Sequence, residues 1–287
     1  AGQLYLQRLR ELTPLERQIL VEKHLISPQL ATAEGEKAVV LRDDEAISIM
    51  VNEEDHLRIQ CLMPGLALEG CWNIASQVDD LFEATLEYAY NEEFGYLVTC
   101  PTNVGTGLRA SVMLHLPGLV ATRMLGEVVS GLSKLGLTVR GLYGEGTKAA
   151  GDLFQVSNQV TLGQREEEII SSLTALVRRL VSQEREARRG LYQKQREALE
   201  DKIFRSYGLL QYARVLNSEE AMRCLSDLRL GLALKVIKGI PLSLIAELMV
   251  LGQPAFLMKV AGKNLAPFER DILRARLIRE RLQKGAK

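Results

Sequence analysis

The chain reads as a sheet-containing domain, α/β or α+β, followed by an all-helical one. Three observations predict this. Apolar residues alternate with polar ones around Ile47–Val51 and Leu57–Cys61, the period-2 pattern of paired strands. Strand-like and helix-like segments then alternate as far as about residue 162. From Glu166 the pattern changes: Ile169, Leu173, Leu176, Val177, Leu180 and Val181 trace one face of a helix, and no further strand pattern follows.

Residues 4–26 carry Leu, Ile and Val at helical spacing around Thr13-Pro14, a good helix start. The Asn52–Asp55 stretch between the two alternating runs predicts an antiparallel hairpin. A second strand starting near Glu54 places Glu54, His56 and Arg58 on one face, with Leu57 and Ile59 toward the core. Residues 75–90 predict a helix and 96–100 a strand. Residues 109–135 read as helical with a break at Pro117-Gly118, and 137–142 and 153–162 as strands. The charged run Gln183–Asp201, interrupted by Gly190, is the expected linker. Beyond it, helices are punctuated by Gly208, Gly231, Gly239-Ile240-Pro241, Gly252-Gln253-Pro254 and Gly262.

With 36 basic and 36 acidic residues in 287, no global field favours nucleic acid, so an anion site must be local. Cys61, Cys71, Cys100 and Cys224 show no CxxC spacing, and the three histidines form no ligand-like cluster. No metal site is expected. No signal peptide is expected, and no apolar run in these residues reaches the roughly 18 of a membrane span. The expectation is a cytoplasmic protein without direct membrane or nucleic-acid contact. Because the chain starts at Ala1 rather than Met, a further N-terminal segment is expected upstream.

Thr99–Met113 brings a cysteine, a glycine-bracketed turn and Arg109 together, a loop able to expose amide groups to an anion. Arginine suits phosphate because its planar fork binds two oxygens and keeps its proton. Arg58, Arg109 and Arg140 each lie beside a turn or strand end; taken singly, each reads as a solvated surface charge. Gly141–Lys148 misses the P-loop order, Gly105-Thr-Gly107 lacks a dinucleotide fingerprint, and no HRD or DFG triplet is present. Glu54 and Glu145 are candidate general bases. A guanidinium, with a pKa of about 12.5–13.8, attacks poorly until it is oriented and deprotonated, work that two carboxylates can share. Cys100 can join them if its thiol is ionised, and otherwise reads as a buried strand-end cysteine.

Asn52–Arg58, Cys100–Met113 and Arg140–Glu145 resemble, in order, three signature segments of the phosphagen (ATP:guanidino) kinase family, and within it the protein-arginine kinases of bacteria. The resemblance runs from about Leu12 to Arg281. It implies an α+β, glutamine-synthetase-like catalytic domain over 1–189, with a mainly antiparallel sheet flanked by helices and part of its N-terminus missing. An all-helical regulatory domain over 190–287 is implied beyond it. It implies Glu54, Glu145 and Cys100 as catalytic residues, and ATP binding by His24, Arg58, Arg109, Ala110, Ser111, Val112, Met113, Arg140, Gly141, Leu142, Tyr143, Gly144 and Glu145, with Mg2+ held mainly through the nucleotide phosphates. Arg270-Asp-Ile-Leu-Arg-Ala275 matches an RDxxRA motif, which implies an allosteric phosphoarginine pocket formed by Arg270, Asp271, Arg274 and Ala275. Arg270 and Arg274 are i,i+4 neighbours, whose ordinary reading is a basic stripe.

The implied activity is transfer of the γ-phosphoryl of MgATP to arginine side chains of proteins, marking them for ClpC–ClpP degradation in stress regulation. The McsA activator, the CtsR repressor, ClpC and a second copy of the chain are the implied partners. The family's Ser-Ser-Arg-x-Arg segment has no counterpart here: either it lies upstream of Ala1 or the natural protein is shortened. A kinase for small guanidino compounds and a non-catalytic phosphoarginine-binding adaptor are the rival readings.

Overall fold

The computed structural model describes residues 2–141 and 150–285. They divide into two compact units: residues 1–112 with 157–177, and residues 113–156 with 178–287.

The first unit holds an antiparallel sheet of order β1-β2-β3-β4, formed by Leu4–Arg8, Ala38–Arg42, Ile47–Val51 and Leu57–Cys61. Its α-helices before β2 are α1 (Pro14–Glu22) and α2 (Pro28–Thr32). Thr13 starts α1 through a capping box, its hydroxyl accepting from the Glu16 amide at 3.3 Å while Glu16 accepts from the Thr13 amide at 2.8 Å. Leu9, Leu25, Leu30, Val39, Leu41 and Met50 form one buried cluster. Helix α3 (Leu68–Glu83) follows, then a short hairpin of β5 (Tyr90–Asn91) and β6 (Gly95–Tyr96).

Here the sequence expectation needs four adjustments. Residues 4–8, expected at helical spacing, form the strand β1, because β2 supplies an antiparallel partner. The helix expected over 75–90 is α3, seven residues earlier. The strand expected over 96–100 stops at Tyr96, because the chain turns at Cys100 into a 3-10 turn over Pro101–Asn103. The segment after Arg109 is extended, not helical: β7 (Ser111–His115) precedes two short helices, α4 (Pro117–Ala121) and α5 (Leu125–Lys134). Its place in a three-stranded sheet of order β7-β9-β8, with β8 at Leu137–Gly141 and β9 at Leu153–Asn158, supplies the partner that overrides a weak helical periodicity.

The stretch expected as a linker is helical. Helix α6 runs unbroken from Glu166 to Lys194 and α7 from Arg196 to Tyr212, with only Gln195 between them. Glu184 explains why charge did not make this segment a loop. Its buried carboxylate accepts from the Gly118 and Leu119 amides at 2.9 Å each, capping α4, and it pairs with Arg188, which donates to the His115 carbonyl at 2.8 Å.

Helices α8 (Ser218–Ala233), α9 (Leu242–Leu251), α10 (Pro254–Ala261) and α11 (Pro267–Gly285) complete the second unit. Ile203, Leu210, Leu225, Leu228, Ile245 and Ile278 form the centre of its core, which Leu153 of β9 joins. Gly231 lets α8 approach α7, since a Cβ there would lie 2.6 Å from Ile203 Cγ2. The turn Ala150–Asp152 sits against α8: Gly151, at φ 64°, would meet the Met222 carbonyl at 2.9 Å if it carried a Cβ. Ser226 donates to Asp152 Oδ2 at 2.7 Å, so the 2.8 Å contact with His115 Nε2 requires the proton on that nitrogen. Among the described residues, no single helix is long and apolar enough to cross a membrane.

Candidate active site

The β3–β4 connection presents the first group of expected site residues. Asn52 adopts a left-handed conformation (φ 57°) and its amide donates to the His56 carbonyl at 2.9 Å, closing a tip over residues 53–55. Strand β4 begins at Leu57, so Glu54 lies in this tip and not on a strand face with Arg58. Glu54 and Arg58 are both exposed.

Glu53, which the sequence offered no reason to select, has a nearly buried side chain and accepts from Arg58 Nη1 at 3.2 Å. Burial alone would raise its carboxyl. The Ser27 hydroxyl, the Glu54 amide and the Arg58 guanidinium outweigh burial and hold it below the ordinary carboxylate range. Glu53 thereby aims Arg58.

Thr99 joins this tip to the cysteine loop. Its amide donates to Asp55 Oδ1 at 2.7 Å and its hydroxyl to the Glu54 carbonyl at 3.2 Å, placing Cys100 one residue from the Glu54 backbone contact. Cys100 is half-buried, with Sγ 3.0 Å from Thr102 Oγ1. Thr161, itself buried, donates to the carbonyls of Thr102 and Val104. Gly105 is required at its position: its φ is 113°, and a Cβ would fall 2.7 Å from the Thr161 carbonyl.

Asn158 clamps both neighbours of Arg109. Its Oδ1 accepts from the Ala110 amide at 2.8 Å and its Nδ2 donates to the Leu108 carbonyl at 3.0 Å. The exposed Arg109 side chain donates to Ser157 Oγ at 3.3 Å. Asn158 and Ser157 lie nearly fifty residues on, with no local motif to mark them. Ala110 is buried, and Ser111 and Val112 open β7.

His24, exposed and left-handed (φ 59°), follows α1, and its carbonyl accepts from Gln60 Nε2 of β4 at 2.7 Å. The first unit thus contains Glu54, Arg58, Cys100, His24 and Arg109–Val112. Met113, and Arg140 and Gly141 at the end of β8, belong to the second unit. Leu142, Tyr143, Gly144 and Glu145 lie outside the described residues.

The RDxxRA segment opens α11. Arg274 is 3% exposed: Nε donates to the Gly252 carbonyl and Nη1 to the Leu216 carbonyl, both at 2.8 Å, and Nη1 pairs with Asp271 Oδ1 at 2.5 Å. Arg270 is half-buried and Ala275 fully buried. Arg274 therefore already fastens the α7–α8 and α9–α10 connections to α11.

Comparison with known proteins gives two family matches, the ATP:guanido phosphotransferase C-terminal catalytic domain over residues 1–187 and the protein-arginine kinase McsB C-terminal domain over 196–287. A protein-arginine kinase of Pelotomaculum thermopropionicum is 62% identical over 278 residues, covering 97% of this chain and 78% of that protein. One from Desulforamulus reducens is 63% identical over 281 residues, covering 98% and 79%. Among solved structures, lombricine kinase superposes with a TM-score of 0.56 at 26% identity, over 66% of this chain and 55% of that one. The duplicated taurocyamine kinase of Schistosoma mansoni gives 0.55 at 25% identity, over 64% of this chain and 26% of that one. The chain spans about four fifths of the length of the bacterial relatives and about half that of lombricine kinase.

Proposed function

The chain belongs to the ATP:guanido phosphotransferase family, in its protein-arginine kinase branch, and transfers a phosphoryl group from ATP to arginine; from that premise we propose how its residues divide the work. Glu54 and Glu145 hold the arginine guanidinium, orient one nitrogen toward the γ-phosphorus and take its proton as the P–N bond forms and ADP leaves. Cys100 stands beside that guanidinium. Arg58, Arg109 and Arg140 neutralise the phosphate oxygens. His24, Ala110–Met113 and Gly141–Tyr143 complete the nucleotide site with Gly144, and Mg2+ enters on the phosphates. The observation that carries this reading is the Thr99 bridge, which ties the Glu54 tip to the Cys100 loop.

Residues 1–189 form the catalytic part and 190–287 the regulatory part. Arg270, Asp271 and Arg274 receive phosphoarginine, with Ala275 packed beneath them, and Arg274 enters that role already fixed by its carbonyl partners. The chain acts in the cytoplasm as a homo-oligomer, with McsA, CtsR and ClpC as partners, in stress-linked degradation of the proteins it marks.

The test is phosphorus NMR of a protein substrate incubated with the chain and MgATP. A phosphoramidate signal is expected, and Glu145→Ala should abolish it without changing the melting temperature. An unchanged signal in that variant refutes the assignment of the base. A signal with free arginine alone favours a small-molecule kinase, and phosphoarginine binding without ATP binding favours an adaptor.

A further inference from the structure

Between Arg58 and Arg109 lie 50 residues with no lysine, arginine or histidine and seven carboxylates, in a chain whose charges balance overall. The run also holds six of the chain's fifteen aromatic residues. Asp80 and Glu83 fall in the last turn of α3, with Asp79 just before it, where the helix dipole disfavours negative charge, and that turn holds no basic residue. Asp80 and Glu83 thus break a local rule of helix ends, which points to a use outside the fold.

The structure gathers this segment into one surface. Tyr88 donates to Asp79 Oδ1 at 3.0 Å, fastening the hairpin to α3. The Tyr96 ring meets Tyr88 and Tyr90 edge-on at 6.0 and 5.3 Å. Burial first, then Asp79 and Glu83, raise the Tyr88 and Tyr96 phenols, a sign of how negative this region is. Tyr90 is 58% exposed and Phe94 46%, and Glu87, Glu92 and Glu93 of the same stretch of chain are exposed too.

The surface is continuous with the cysteine loop. The Tyr96 amide donates to the Gly105 carbonyl at 2.8 Å, and the Gly105 amide returns a bond to the Tyr96 carbonyl at 3.4 Å. Gly95 permits this approach, since a Cβ there would lie 2.5 Å from the Gly105 oxygen.

We propose that the α3 end and the β5–β6 hairpin form a docking surface for basic, arginine-bearing segments of protein substrates, separate from the arginine that reacts. Charge complementarity selects this occupant. A guanidinium pairs with a carboxylate through two hydrogen bonds and stacks on an exposed aromatic ring, and this face offers both. The inference rests on the protein-arginine kinase reading and adds to it where the substrate is held. A small guanidino compound fills only the reacting site, so the surface serves polypeptide substrates alone.

The test compares the unaltered chain with the triple variant Glu87→Gln, Glu92→Gln, Glu93→Gln, and with Tyr90→Ala. Two peptides share one acceptor arginine, one with arginine-rich flanks and one with neutral flanks. Fluorescence anisotropy should show the basic peptide binding about tenfold more weakly to the triple variant, the scale of several exposed ion pairs acting together, with a shallower salt dependence. Its KM should rise by the same factor at unchanged kcat, while the KM of the neutral peptide stays put. Tyr90→Ala should weaken basic-peptide binding by a few-fold at all salt concentrations. Equal weakening for both peptides, or no change for the basic one, overturns the proposal. If neither peptide is phosphorylated by the unaltered chain, the catalytic reading fails, and the anisotropy result still decides the docking surface.

Discussion

Replacing Arg274 with alanine removes a side chain that is 3% exposed and leaves the carbonyls of Leu216 and Gly252, each now receiving a 2.8 Å bond, without that donor. A buried acceptor stripped of its partner costs about 1–3 kcal/mol. Asp271, whose side chain keeps a quarter of its surface in water, regains hydration and adds little. Two such carbonyls, with the lost packing of the buried side chain, put the expected loss at about 3–5 kcal/mol. Melting entropy for 287 residues converts each kcal/mol to about 2 °C, so the midpoint should fall by about 6–10 °C. Arg274→Lys should recover only part of this, because an ammonium lacks the planar fork that reaches two loops at once. Thermal denaturation followed by circular dichroism reads the shift. A midpoint within about 2 °C of the unaltered chain would show that the two connections do not depend on this guanidinium. Arg270→Ala, a half-buried residue on the same helix, should move the midpoint little while weakening phosphoarginine binding in calorimetry. It is therefore the cleaner probe of the proposed pocket.

Glu53→Gln should release Arg58 and raise the KM for ATP several-fold with a smaller change in kcat, measured by steady-state kinetics. Because the folded carboxyl titrates below the ordinary 4.5, its contribution to stability is present above that pH and lost as pH falls through the folded value; the stability gap between variant and parent should close there. His115 provides the second pH effect. Burial first, then Arg229 and Arg188, push its pKa to about 2 from the ordinary 6.5. The unfolded chain therefore binds a proton below 6.5 that the folded one refuses. Stability should fall by up to about 1.4 kcal/mol per pH unit from this residue on acidification. His115→Gln should flatten that slope in urea titrations between pH 6.5 and 4, and an unchanged slope would remove His115 as its source.

Local pattern alone determined several elements, because each is set by neighbours within a turn or a hairpin. Thr13-Pro14 with Glu16 specified the start of α1, the alternation around Asn52–His56 specified the β3–β4 pair, and the apolar stripe from Ile169 to Val181 specified α6. The three signature segments mark Glu54, Arg58, Cys100 and Arg109 as site candidates by sequence alone. Tertiary structure decided the remainder. Arg109–His115 became extended because a strand partner was available, a fact encoded some forty residues downstream. Gln183–Asp201 became helix because the Glu184 carboxylate found the open amides of α4, a contact that no charge count records. Glu53 and Asn158 act on Arg58 and Arg109 through hydrogen bonds whose geometry exists only after the chain has closed. Arg274 shows the difference most directly. Its spacing from Arg270 read as a basic stripe, and packing put its guanidinium between two loops, where desolvated carbonyls hold it.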